Sequence, residues 1–116
     1  MNEADILAST YDDLCSVYRP VKRVLESGET EQERQLIYEA LSCSLSRPSG
    51  GRRQREQPAP KADVDYTLFV RPEIEILVSD FLEIHQQGRL IKGIAGRVFY
   101  YPSHNEIPVK LAKERV

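Results

Sequence analysis

Leu41, Cys43 and Leu45 alternate with Ser42, Ser44 and Ser46, and a period of two with one hydroxyl-bearing face predicts a half-buried strand whose apolar residues point inward. The same alternation recurs over residues 81–85, where Leu82 and Ile84 oppose Glu83 and His85, and near the end of the chain, where Ile107, Val109 and Leu111 oppose Glu106, Pro108 and Lys110. Pro108 cannot donate to a ladder, so this last strand is expected at an edge or at a bulge, an edge being a candidate surface for another subunit. Tyr66–Val70 reads as a further strand. Gln87-Gly88 can supply a positive-φ turn into a strand over residues 89–92. Gly93 and Gly96 suggest a bend or bulge before a strand over residues 98–101.

Towards the front, residues 14–24 carry Val17, Tyr18, Val21 and Val24 and read as a strand broken by Pro20, with Ser27-Gly28-Glu29 as a turn. Residues 31–41 support two readings. Thr30-Glu31-Gln32-Glu33 has the form of a helix capping box and helix formers follow it. A hairpin across Gly28 instead places Leu36, Ile37 and Tyr38 on a strand paired with residues 17–21, and this reading is preferred because it runs directly into the alternating strand at Leu41. Residues 1–10 are open between a short helix, an arm and disorder.

Together these elements predict an all-β fold: one small β-barrel domain over residues 1–116, SH3-like or sandwich-like, interrupted by residues 47–63. That segment reads RPSGGRRQREQPAPKAD and has no Val, Ile, Leu, Met, Phe, Tyr or Trp. It cannot contribute to a core. Arg47, Arg52, Arg53, Arg55 and Lys61 face only Glu56 and Asp63 within it, a formal +3 that leaves −5 for the rest of a chain whose total is −2. Gly50 and Gly51 are expected to act as hinges, and Pro48, Pro58 and Pro60 to favour extended conformers, so a flexible basic loop is expected. Clustered guanidinium groups bind phosphate well. Without an aromatic residue the loop has no stacking platform, so contact with nucleic acid would fall on backbone phosphates without sequence choice.

Other chemistry is weighed on spacing. The chain lacks GxGxxG, a P-loop, GxSxG, HExxH and paired-cysteine motifs, and the expectation is a non-enzyme without cofactor or metal. Cys15, Cys43, His85 and His104 have no zinc-ligand spacing, and both cysteines read as small apolar strand residues. Ser103-His104 beside Glu106 is read as a polar turn, because adjacent residues are expected to point apart. Asp12-Asp13 and Asp63/Asp65 are read as solvated turn residues. No apolar run approaches a membrane span, and the acidic start lacks the form of a secretory signal, so a cytoplasmic origin is expected.

The order of several segments resembles the small head-tail connector proteins of tailed bacteriophages and prophages. These are Tyr11-Asp12-Asp13-Leu14-Cys15-Ser16-Val17-Tyr18-Arg19-Pro20, Leu41-Ser42-Cys43-Ser44-Leu45-Ser46, Leu68-Phe69-Val70-Arg71-Pro72-Glu73, Ser79-Asp80-Phe81-Leu82, Leu90-Ile91-Lys92-Gly93 and the tail Tyr100-Tyr101-Pro102-Ser103-His104-Asn105-Glu106-Ile107. Ser79 stands where that pattern usually has a turn Gly, Asn105 where it has Gln, Ser44 where it has Arg, and Ala40-Leu41 where Ile-Pro is frequent. The resemblance implies a head-closure or stopper subunit in the virion neck. It further implies a homo-oligomeric ring, with a monomer in dilute solution, between a portal or connector protein and a tail or tail-terminator protein, the basic loop lying near packaged double-stranded DNA. A tail terminator or neck adaptor of the same structural class, and a small oligonucleotide-binding β-barrel, stay open beside it.

Overall fold

The computed structural model describes residues 2–47 and 65–112. One short helix, α1 (Glu3–Ala8), precedes seven strands: β1 (Asp13–Val24), β2 (Thr30–Ser46), β3 (Tyr66–Val70), β4 (Phe81–Gln86), β5 (Arg89–Ala95), β6 (Phe99–Tyr100) and β7 (Asn105–Leu111). The all-β class therefore holds. The strands form one antiparallel sheet in the order β3-β2-β1-β4-β5-β7-β6, and β3 also pairs with β7, so the hydrogen bonding closes into a circuit. Inside that circuit lie Cys15, Val17, Cys43, Leu68, Val70, Leu82, Ile84, Ile107 and Val109, all fully buried. Each comes from the inward phase of a period-two strand, which is why the alternation seen in the sequence is sufficient to build the core.

The hairpin reading of residues 31–41 is correct and the helix reading is not. Val17 pairs with Tyr38 and Tyr18 with Leu36, and Gly28 takes φ 92° in a turn closed by the Gly28 N–H donating to the Leu25 carbonyl at 2.9 Å. Local helix propensity loses to a partner strand that pairs along the whole segment. The capping box forms elsewhere: the Asn2 side chain accepts from the Asp5 N–H, Asp5 reciprocates, and α1 starts there. The Gln87-Gly88 turn also forms as expected, with φ 50° and 81° joining Gln86 to its partner Arg89, the paired positive φ values that a two-residue hairpin requires.

Five expectations are corrected. Pro20 does not break β1, which runs to Val24; it lies beyond Tyr18, the last residue paired with β4, where one side of β1 is unpaired and a missing donor is tolerated. Pro108 is not on an edge either. β7 is flanked by β3 on one side and by β5 and β6 on the other, and Pro108 falls at the handover between Val109, paired with β5, and Glu106, paired with β6. Its carbonyl there accepts from the Gly96 N–H at 2.8 Å. Gly93 marks no bend: it is an interior residue of β5, paired with Leu82 and Leu111, and a Cβ at this position would run into the Val109 side chain and the Lys110 carbonyl. The strand over residues 98–101 shortens to β6. Asp13, finally, is a buried strand residue and not a solvated turn.

Candidate functional site

Antiparallel pairing gives the body two poles. Ser46 pairs with Thr67, so β2 and β3 leave the sheet side by side, and the segment between them starts and ends at one pole. The β4–β5 turn lies at the same pole, because Gln86 and Arg89 close the strands that begin and end at the opposite one. Of the predicted basic residues, Arg47 is the described one. It is exposed, its guanidinium lies 5.8 Å from the Tyr66 ring centroid, and it shares a shallow depression with Gln86, Gln87 and Arg89. Arg52, Arg53, Arg55 and Lys61, with the expected hinges Gly50 and Gly51, lie outside the described residues.

The root of that segment is fastened by a polar network that the sequence did not disclose. The buried Asp13 carboxylate accepts from the Leu45 N–H at 2.9 Å and from Gln86 Nε2 at 3.2 Å, and the same Gln86 amide donates to the Leu45 carbonyl at 3.0 Å. β1, β2 and β4 are thereby tied one residue before β2 ends. Asp65 Oδ2 accepts from the Leu111 N–H at 2.9 Å and fixes the other root to β7. Asp65 is exposed, in keeping with its reading as a turn residue; Asp63 lies outside the described residues.

At the opposite pole a second network holds the base of a protruding ribbon made by the distal halves of β1 and β2. Arg19 Nε and Nη2 donate to the two oxygens of Asp80 at 2.9 and 2.8 Å, and Asp80 also accepts from the Leu77 N–H at 2.8 Å. Asp80 is 1% exposed and Arg19 26%, so the carboxylate is buried but fully bonded, the condition under which a buried charge is tolerated. This pairing pushes the Arg19 guanidinium pKa up. The Tyr38 hydroxyl accepts from the Glu75 N–H, and Arg34 lies 3.8 Å over the Phe81 ring centroid. The buried Asn105 amide donates to the Pro72 and Ile74 carbonyls, holding the loop that carries Glu75 and Asp80.

Ser103, His104 and Glu106 do not point apart. Ser103 Oγ is 2.8 Å from His104 Nδ1, and His104 Nε2 is 2.9 Å from Glu106 Oε2, while the imidazole stacks between Phe69 and Tyr101. The expected turn is present: Tyr101 and His104 exchange backbone hydrogen bonds across Pro102-Ser103. Its side chains bond one another instead of the backbone, and the Phe69 and Tyr101 rings flank the histidine. Phe99, Tyr100 and Tyr101 beside it are 54, 66 and 45% exposed.

Cys15 and Cys43 are fully buried and free of disulfide. The neighbouring Cys15 thiol and burial together push the Cys43 pKa upward. Among the described residues no group of three His, Cys, Asp or Glu side chains is arranged to hold a metal, and no helix is long and apolar enough to cross a membrane. Comparison with family models, curated proteins and solved structures returns no match to this chain.

Proposed function

We propose that this chain is a structural subunit of the neck of a tailed bacteriophage or prophage, of the head-closure or stopper type. In this reading the closed circuit of pairing is a small β-barrel, SH3-like or sandwich-like, that sits in a homo-oligomeric ring between a portal or connector protein and the tail. The observation that carries the reading is the polarity of the body. The cation-rich segment between Arg47 and Asp65 is rooted at one pole by Asp13, Gln86 and Asp65, and the ribbon leaves the other. One pole is thereby suited to a DNA-filled lumen and the other to protein contacts.

The mechanism is mechanical and electrostatic. Rigid bodies set the ring, and the basic segments from all subunits converge on the channel, where Arg and Lys neutralise phosphates without sequence choice. Deleting residues 50–60 in the phage or lysogen that carries the gene tests it. The expected result is a folded subunit and heads that lose their DNA; heads that retain DNA would end the gating role, and normal infectious particles after removal of the whole gene would end the neck assignment.

A small oligonucleotide-binding β-barrel is the second reading, favoured by exposed Phe99 and Tyr100 beside exposed Arg97, the aromatic-and-basic pairing on which bases stack. Salt-dependent binding of short single-stranded DNA by the isolated protein, lost in a Phe99→Ala/Tyr100→Ala variant, would select it.

A further inference from the structure

The distal ribbon is a two-stranded sheet with both edges open. β4 covers β1 only over residues 14–18, and β3 covers β2 only over residues 44–46. From Arg19 to Val24 on β1, and from Thr30 to Cys43 on β2, the outer side has no strand partner. Not one residue over 19–36 is buried, although Val24 and Leu36 are 71 and 46% exposed. A lone hairpin is marginally stable in water, and an open edge is a template for another strand.

The two edges carry opposite charge. On β1, Arg19 is committed to Asp80 and Arg23 to Glu33 across the ribbon, so Lys22 is the charge that edge offers, with no acidic residue between 19 and 24; residues 30–40 of β2 offer Glu31 and Glu39 against Arg34 alone. From this we infer that the ribbon's partner is a second copy of this chain, docked so that the β1 edge of one copy pairs with the β2 edge of the next. A dyad-related pairing would set Lys22 against Lys22, or Glu31 against Glu31, and like charges on facing strands are repulsive. The β1-to-β2 seam brings opposite charges together at every repeat.

Geometry agrees with charge. Rotation about an axis along the ribbon keeps every β1 pointing one way and every β2 the other, so each seam is antiparallel, as the ribbon itself is. Such a contact uses different patches on the two partners, and when it closes it makes a ring. The inference deepens the neck-subunit reading and rests on it for its biological setting, but the seam is measurable without a phage. Pro20 and Lys22 are also residues that can guard an edge against pairing, and that outcome is built into the test.

The full chain is followed by sedimentation equilibrium and amide hydrogen exchange from micromolar to millimolar concentration, alongside Lys22→Glu, Glu31→Lys and an equimolar mixture of the two, which leave the Arg23–Glu33 pair within each ribbon intact. The wild type is expected to associate beyond a dimer, with exchange slowing over residues 19–24 and 30–36. Each reversed variant alone should associate about tenfold more weakly per seam, and the mixture should recover wild-type behaviour. Recovery by mixing also excludes misfolding as the cause. A chain that stays monomeric with fast-exchanging ribbon amides at every concentration, a symmetric dimer as end point, or reversed variants that associate like the wild type would overturn the seam. Loss of the neck assignment is read separately, from particles made without the gene.

Discussion

Over residues 14–18, β1 has a strand on each side, and Cys15 and Val17 are buried. Over residues 19–24 the same strand has one partner and no buried residue. β-Pairing is continuous across both halves, so hydrogen bonding is not what separates them. The third strand is. Where β4 and β3 close over the pair, inward side chains lose their water; where they do not, Val24 and Leu36 stay exposed. Two register shifts in the β1–β2 ladder, between Cys15 and Val17 and between Val17 and Tyr18, mark the border. Ala40 at φ 53° sits in the first of them, its N–H donating to Ser16 Oγ at 3.2 Å. Bulges increase local twist, which turns the distal half out of the circuit.

The contrast can be broken most forcefully by truncation. Leu82→Ala, in the core, should cost about 3 kcal/mol in urea unfolding, against less than about 0.5 kcal/mol for Leu36→Ala on the ribbon. Equal losses would mean that the ribbon is packed in the free monomer. Arg19→Ala comes next: it leaves the buried Asp80 carboxylate unpaired at the border and should cost about 3 kcal/mol. Faster hydrogen exchange over residues 19–36 with an unchanged core would locate that damage in the ribbon's attachment.

Ser79 sharpens the border from the other side. It holds φ 78° beside Asp80, with its N–H donating to the Ala95 carbonyl at 2.8 Å, and Ser79→Gly should stabilise by about 0.5–1 kcal/mol by removing left-handed strain. A destabilised variant would mean that the Ser side chain supports the loop. The smallest effect concerns α1, fastened by Arg71 to Asp5 and, on its own loop, to Glu73. Hydrogen bonds from Arg71 hold both carboxyl groups below their ordinary pKa values. Their contribution is therefore present above the ordinary carboxylate range and is lost as pH falls through the lowered values. NMR signals of residues 3–8 should shift on acidification before those of the core; simultaneous change would show that α1 and the core melt together.

How much of this was legible follows from the range of each signal. The strand at Leu41, the turn at Gln87-Gly88 and the hairpin across Gly28 are written within a few residues, and all are present. Pro20 and Pro108 misled because a proline reports one missing donor and cannot report whether a partner stood on that side. Asp13 and Asp80 are buried by contacts 32 and 61 residues away, and no local pattern distinguishes them from solvated turn aspartates. Ser103, His104 and Glu106 were present as a motif, but Phe69, which supplies one wall of the stack, is 35 positions upstream of His104. The charge asymmetry between the ribbon edges was in the sequence throughout, and acquires meaning only once Lys22 and Glu31 are known to lie on opposite margins.

The Ser46–Thr67 pairing also bears on how the chain can be altered. With both ends of the intervening stretch held a single ladder step apart and braced by Asp13 and Asp65, the sheet registers no tension from what is spliced between them. A peptide epitope or a small fluorescent reporter placed there should leave the pairing of Ser46 with Thr67 untouched, which offers a handle for labelling the protein.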